Sequence, residues 1–132
     1  MRVIDIEGIG PAHEAALAKV GITTVEGLLE SGATRKGRKE IAAAGISDTL
    51  VLRWVNIADL YRIKGIGRQY SELVEASGVD TVVELANRVP ENLWKTMQDV
   101  NEAKNLVRKL PTVAQIGSWI AQAKELPRVV TY

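Results

Sequence analysis

"IEGIGPAHEAALAKVGITTVEGLL", Ile6 to Leu29, lies without a gap over "IKGIGRQYSELVEASGVDTVVELA", Ile63 to Ala86. The offset is fifty-seven residues, and the same residue recurs at Ile6/Ile63, Gly8/Gly65, Ile9/Ile66 and Gly10/Gly67. It recurs again at Gly21/Gly78, Thr24/Thr81, Val25/Val82 and Leu28/Leu85. Glycines held this strictly in step predict a duplicated supersecondary unit. Further along, "SDTLVLRWVNIADL" (Ser47 to Leu60) resembles "TVAQIGSWIAQAKEL" (Thr112 to Leu126). Each begins on an N-cap residue and carries one apolar stripe, Val51/Trp54/Val55/Ala58 against Ile116/Trp119/Ile120/Ala123. The second copy is eight residues longer between its Gly-Ile-Gly and its tryptophan, around "NLWKTMQDVNEAKNLVRK" (Asn92 to Lys109).

The repeat disposes of a tempting alternative. "RVIDI" before the first Gly-x-Gly resembles a short strand leading into a dinucleotide-binding loop. That motif needs a third glycine where His13 and Tyr70 stand, and a strand with an acidic end beyond it. The residues beyond each Gly-x-Gly read instead as helix, turn, helix.

Nearly the whole chain reads as short helices. Pro11 suits a first helical position and Gly21 a C-terminal cap. Thr23 with Glu26 reads as a capping box, and Asp80 takes the place of Thr23 in the second copy. Ser47 caps the Trp54 helix, Pro90 opens "PENLWKTM", and Pro111-Thr112 opens the last helix. "RVVTY" is a tail suited to an extended, docked conformation. None of these helices is long enough to be stable alone, so each must bury its apolar stripe. The first core is expected at Leu17, Val20, Val25, Leu28, Leu29, Val51, Trp54 and Val55. The second is expected at Leu73, Val74, Val82, Leu85, Leu93, Met97, Ile116, Trp119 and Ile120. Roughly sixty residues make a marginal core, so the two units are expected to pack together. The expected fold is all-α, two tandem units of about five short helices each. They span residues 1–61 and 62–132, the second with an inserted helix and the C-terminal tail.

Composition bounds the function. The chain has 132 residues, 46% hydrophobic and 25% charged, the proportions of a globular protein. No apolar run is long enough to cross a bilayer, and "MRVIDIEGIG" has no signal-peptide core, so the expected location is cytoplasmic. Without cysteine there are no disulfides, thiolate metal sites or cysteine nucleophile. The net charge is only +1, which argues against a protein that coats DNA by charge alone. Charge is unevenly spread, however: residues 31–40 carry four basic groups and one acidic, the first thirty residues two basic and five acidic.

The glycine turn has its own chemistry. Glycine tolerates the positive φ of a tight turn. The helix that begins at once after it offers free N–H groups and the positive end of its dipole. Such a nest suits one phosphate oxygen, and contacts of that kind do not read base sequence. Gly8-Ile9-Gly10-Pro11, then Leu17, Gly21, Thr24-Val25 and the "GIS" at Gly45 to Ser47 resemble the helix-hairpin-helix family. The first unit is similar to the small SAM-like N-terminal domain of archaeal RecA-like recombinases. The tandem arrangement also resembles an uncharacterised bacterial family of duplicated helix-hairpin-helix domains.

The resemblance implies contact with the backbone of double-stranded DNA through hairpin amides, sometimes with a monovalent cation at hairpin carbonyls. Carried over, the contact residues are Gly65, Ile66 and Gly67, and more weakly Gly8, Ile9 and Gly10. The second turn sits among Arg62, Lys64 and Arg68, the first among Asp5, Glu7 and Glu14. Cations attract a phosphate and carboxylates repel it, so the second turn is the expected contact. The further glycines are lost from "RKLPTV" in the second unit, which weakens any contact there.

Other signals are plainer. The basic cluster "TRKGRKE" offers Arg35, Lys36 and Arg38 as secondary phosphate contacts, against the alternative of a solvated helix face. Arg108 and Lys109 face the same choice. His13, the only histidine, reads as partly buried filler. Trp54 and Trp119 read as core, and Trp94, without a repeat partner, as a candidate for partial exposure. No nucleophile–base pair or metal cluster is spaced for catalysis, so no enzyme activity, cofactor or small-molecule substrate is expected. The two functional expectations are non-sequence-specific DNA binding, and a protein-interaction or self-associating module with no nucleic acid; neither involves a membrane.

Overall fold

The computed structural model describes all 132 residues, Met1 to Tyr132, as an all-helical chain. A one-turn 3-10 helix at Val3–Asp5 precedes α1 (Pro11–Lys19), α2 (Val25–Gly32), α3 (Arg35–Ala42) and α4 (Asp48–Leu60). Then come α5 (Arg68–Ala76), α6 (Val82–Ala86), α7 (Pro90–Lys104) and α8 (Val113–Glu125). No helix is long and apolar enough to cross a membrane. The chain divides into unit 1, Met1–Asp59 with Val129–Tyr132, and unit 2, Leu60–Arg128. The tail, expected from its place in the sequence to go with the second unit, therefore belongs to the first.

The helix ends obey local chemistry. Pro11 and Pro90 open α1 and α7, where the missing N–H is no loss. α1 and α5 end on the same device. Gly21 and Gly78 adopt φ of 79° and 91°, and the next residue, Ile22 or Val79, donates back to Leu17 O or Val74 O. This Schellman closure satisfies carbonyls that the helix end would orphan. Thr34, Ser47 and Thr112 accept from the N–H groups of Gly37, Leu50 and Gln115, as N-caps do.

One cap differs from expectation. α2 is capped by Thr24, whose hydroxyl accepts from Gly27 N–H at 3.0 Å. Thr23 instead gives its carbonyl to Val3 N–H, while Val25 N–H donates to Met1 O. The N-terminal strip pairs with this segment through an isolated bridge, Arg2 to Thr24, and thereby moves the cap by one residue. In the second unit α6 starts after Thr81, not Asp80, and has no side-chain cap.

Both cores form largely where apolar spacing places them. In unit 1 Leu17, Val25, Leu28, Val51, Trp54 and Val55 are buried, and Leu29 is half-buried. Val20 is the exception at 43% exposure, because it caps α1 where the chain turns outward. In unit 2 all nine expected positions are buried, joined by Ile63, Ile66 and Val79. Each such side chain contributes about 1.5–3 kcal/mol by leaving water. Trp94 is half-buried against this second core. The second unit has α7 of fifteen residues where the first has α3 of eight, and a longer connection after it, 105–112 against 43–47.

Candidate nucleic-acid interface

The two Gly-Ile-Gly segments fold alike. Ile9 N–H donates to Ile6 O at 3.1 Å, and Ile66 N–H to Ile63 O at 3.2 Å. Gly8 and Gly65 take φ of 96° and 100° at the third position of these turns. A closing bond over a positive-φ third residue is the pattern of a type II turn, which calls for glycine there. The flanking isoleucines, Ile6 and Ile9 or Ile63 and Ile66, are buried and pin each turn at both ends. The second position of the turn, Glu7 or Lys64, is thus left exposed. Gly10 and Gly67 then lead straight into α1 and α5 without a side-chain cap. The first amides of those helices are open to a ligand.

A tryptophan backs each turn within its own unit. A β-carbon at position 8 would lie 3.7 Å from Trp54 Nε1, an ordinary contact. At position 65 it would fall 2.6 Å from Trp119 Nε1, where no β-carbon fits. Each indole meets a ring from the helix after the turn: His13 with Trp54 at 5.0 Å between centroids, Tyr70 with Trp119 at 5.6 Å. His13 is half-buried there, in a packing role.

Around these like backbones the side chains differ. Lys64 and Arg68 are exposed and form no ion pair. Arg62 is half-buried and donates to Pro127 O at 2.7 Å, which ties it to the end of α8 rather than to solvent. Gln122 of α8 clamps the second turn. It accepts from Lys64 N–H at 2.9 Å and donates its own amide to Lys64 O at 3.0 Å. Lys64 N–H is therefore occupied, as is Ile66 N–H by Ile63 O, and the donors left toward a ligand are the amides of Gly65, Gly67, Arg68 and Gln69. A hydrogen-bond donor already on Lys64 O, beside two exposed cations, does not suit a bound monovalent cation, so none enters the proposed contact.

At the first turn Glu7 is exposed, and Glu14 takes Arg2 into a 2.8 Å salt bridge. Pro11 stands where Arg68 stands in the second turn, and it has no N–H to offer. The sequence match puts Ile57 where Gln122 would be, so the first turn has no amide clamp. The same backbone is acidic and lacks the donor that Arg68 N–H supplies at the helix start.

The α3 cluster splits. Arg35, Lys36 and Lys39 are exposed. Arg38 is buried, which removes it from the set of phosphate contacts. Its guanidinium donates to Gly32 O at 2.9 Å and Ala33 O at 3.1 Å, closing the C-terminal end of α2. It also donates to Thr131 O at 2.6 Å, while Thr131 N–H donates to Ala33 O. Arg38 is thus the anchor of the C-terminal segment. Both Arg38 and Gln122 escape sequence reading because each bonds a main-chain atom far along the chain, Thr131 O for Arg38 and the Lys64 amide and carbonyl for Gln122. Arg108 and Lys109 are exposed, and Lys109 O accepts from Tyr70 Oη at 3.3 Å.

A family model described as "Domain of unknown function (DUF4332)" matches residues 7–126, and the chain belongs to that family. No curated protein and no solved structure matches it.

Proposed function

We propose that this member of the DUF4332 family is a tandem helix-hairpin-helix protein that binds the backbone of double-stranded DNA without reading its sequence. The contact runs through the second Gly-Ile-Gly turn. One observation carries the reading: the uncapped start of α5 lies between two exposed, unpaired cations, Lys64 and Arg68. The turn amides and helix dipole hold a phosphate oxygen, and the two side chains neutralise its neighbours. Gly65 and Gly67 supply free amides, while Ile66, buried and with its N–H on Ile63 O, holds the turn in shape. Arg62 supplies charge from a fixed position rather than a reaching side chain. Gly8, Ile9 and Gly10 have the shape for the same contact and the wrong charge around it. The role is binding, with no chemistry on the ligand.

The test is a duplex titration at low and moderate salt, wild type against Lys64→Glu/Arg68→Glu. The reading expects wild-type binding that weakens with salt and is lost in the variant. No binding at low salt, or binding indifferent to the substitutions, overturns it. The acidic first turn and the net charge of +1 favour a second reading, a protein-interaction or self-associating module. That reading expects a concentration-dependent mass in ultracentrifugation and no DNA binding; a strict monomer counts against self-association.

A further inference from the structure

We propose that a cleft in unit 1 binds one nucleotide of a single-stranded nucleic acid, with its base on Tyr132 and its phosphate between Arg35 and Lys39. The cleft has a volume of about 320 Å³ and is lined by Arg35, Arg38, Lys39, Asp48, Leu52 and Tyr132. That is room for one small ligand. It stands in a different unit from the second turn and does not depend on DNA contact at that turn.

The floor is a prepared stacking surface. Tyr132 is 63% exposed, yet its ring is fixed. Its hydroxyl donates to the buried Asn56 Oδ1 at 3.2 Å, and the Arg38 guanidinium carbon lies 5.6 Å from the ring centroid. Arg38 is itself held by three main-chain carbonyls. A ring held in place and open to solvent loses little freedom when a base stacks on it. Leu52 supplies an apolar wall.

The charges select the ligand. Arg35 and Lys39 are four residues apart on α3, hence on one face, exposed and without ion pairs. They form a phosphate clamp. Asp48, in the same cleft, repels a bare polyanion but accepts from a base amino group. Phosphate, aromatic face and N–H donor occur together in a nucleotide. A second cleft of about 570 Å³ shares Arg35 and Lys39 and adds Lys36, Glu40 and Ala43. The shared walls let a strand continue across α3, with Lys36 near its next phosphate, which favours a polymer over a free nucleotide.

The test is fluorescence anisotropy with a short labelled oligodeoxycytidylate at low salt, with unlabelled oligomer, CMP and tripolyphosphate as competitors. Tyr132→Ala should weaken oligomer binding roughly tenfold, the loss expected when one base loses its stacking partner. Tyr132→Phe keeps the ring and loses the Asn56 bond that holds it, and should weaken binding less than Tyr132→Ala. Arg35→Ala/Lys39→Ala, which touches no internal contact, should weaken binding and flatten the salt slope by about one to two. Lys64→Glu/Arg68→Glu should weaken oligomer binding less than Arg35→Ala/Lys39→Ala does, even where it abolishes duplex binding. Unlabelled oligomer should compete better than CMP or tripolyphosphate. The proposal is overturned if wild type ignores the oligomer, if the Arg35/Lys39 variant binds as tightly as wild type, if tripolyphosphate competes best, or if the Lys64/Arg68 variant alone loses the oligomer.

Discussion

The two Gly-Ile-Gly turns share backbone geometry and differ in nearly everything a ligand would meet. Both close an isoleucine-to-isoleucine hydrogen bond over a left-handed glycine, and both rest on a tryptophan and a ring partner. The first then has Glu7, Glu14 and Pro11, the second Lys64, Arg68 and the Gln122 clamp. A turn kept for folding needs the glycine, the isoleucines and the indole. A turn that also holds a phosphate needs open amides and cations around them. The comparison separates the two demands within one chain.

The largest expected effect concerns the glycines. Gly65→Ala meets backbone strain and the Trp119 indole together, and should destabilise unit 2 by about 2–5 kcal/mol. Gly8→Ala meets the strain with only an ordinary contact at Trp54, and should destabilise unit 1 by about 1–2 kcal/mol. Urea unfolding followed by tryptophan fluorescence and circular dichroism measures both. Equal losses would mean that Trp119 yields freely and that the second turn is no more tightly backed than the first.

A smaller effect sharpens the role of the clamp. The Lys64 amide should exchange with solvent more slowly than the Glu7 amide. Gln122→Ala should remove that protection at a stability cost of about 1–2 kcal/mol, two hydrogen bonds' worth. Hydrogen exchange followed by NMR reads each amide separately. Unchanged Lys64 protection in the variant would show that the turn holds itself without Gln122.

The smallest expected effect is a gain. Glu7→Lys/Pro11→Arg gives the first turn the charge and the missing donor of the second. Each phosphate contact so created should steepen the salt dependence of duplex binding by about 0.9 in log–log slope. Affinity should rise only a few-fold, because Glu14 remains. No change would show that charge and one amide do not suffice to convert a folding turn into a binding turn.

Much of the fold is legible in the sequence because its signals are local. The glycine spacing places both turns, Pro11 and Pro90 open helices, Ser47 and Thr112 cap them, and apolar spacing finds most of both cores. The misses come from contacts distant along the chain. Thr24 replaces Thr23 as cap because the N-terminal strip takes the Thr23 carbonyl. The tail crosses to unit 1 because Arg38 offers it a hydrogen bond ninety-three residues away in sequence. For the candidate site, the charge contrast between the turns is read directly from the residues. The buried role of Arg38, the tether on Arg62 and the Gln122 clamp are not, since a cation or amide in sequence carries no mark of the carbonyl it will find.

The most direct test of the central claim, that the second turn and not the first meets DNA, is an NMR titration. Labelled protein is mixed with a short duplex at low salt, and the amide signals of the two turns are compared. The account expects shifts concentrated at Gly65, Gly67, Arg68 and Gln69, with Gly8, Gly10, Ala12 and His13 nearly unmoved. Shifts at the first turn, or none at either, would contradict it.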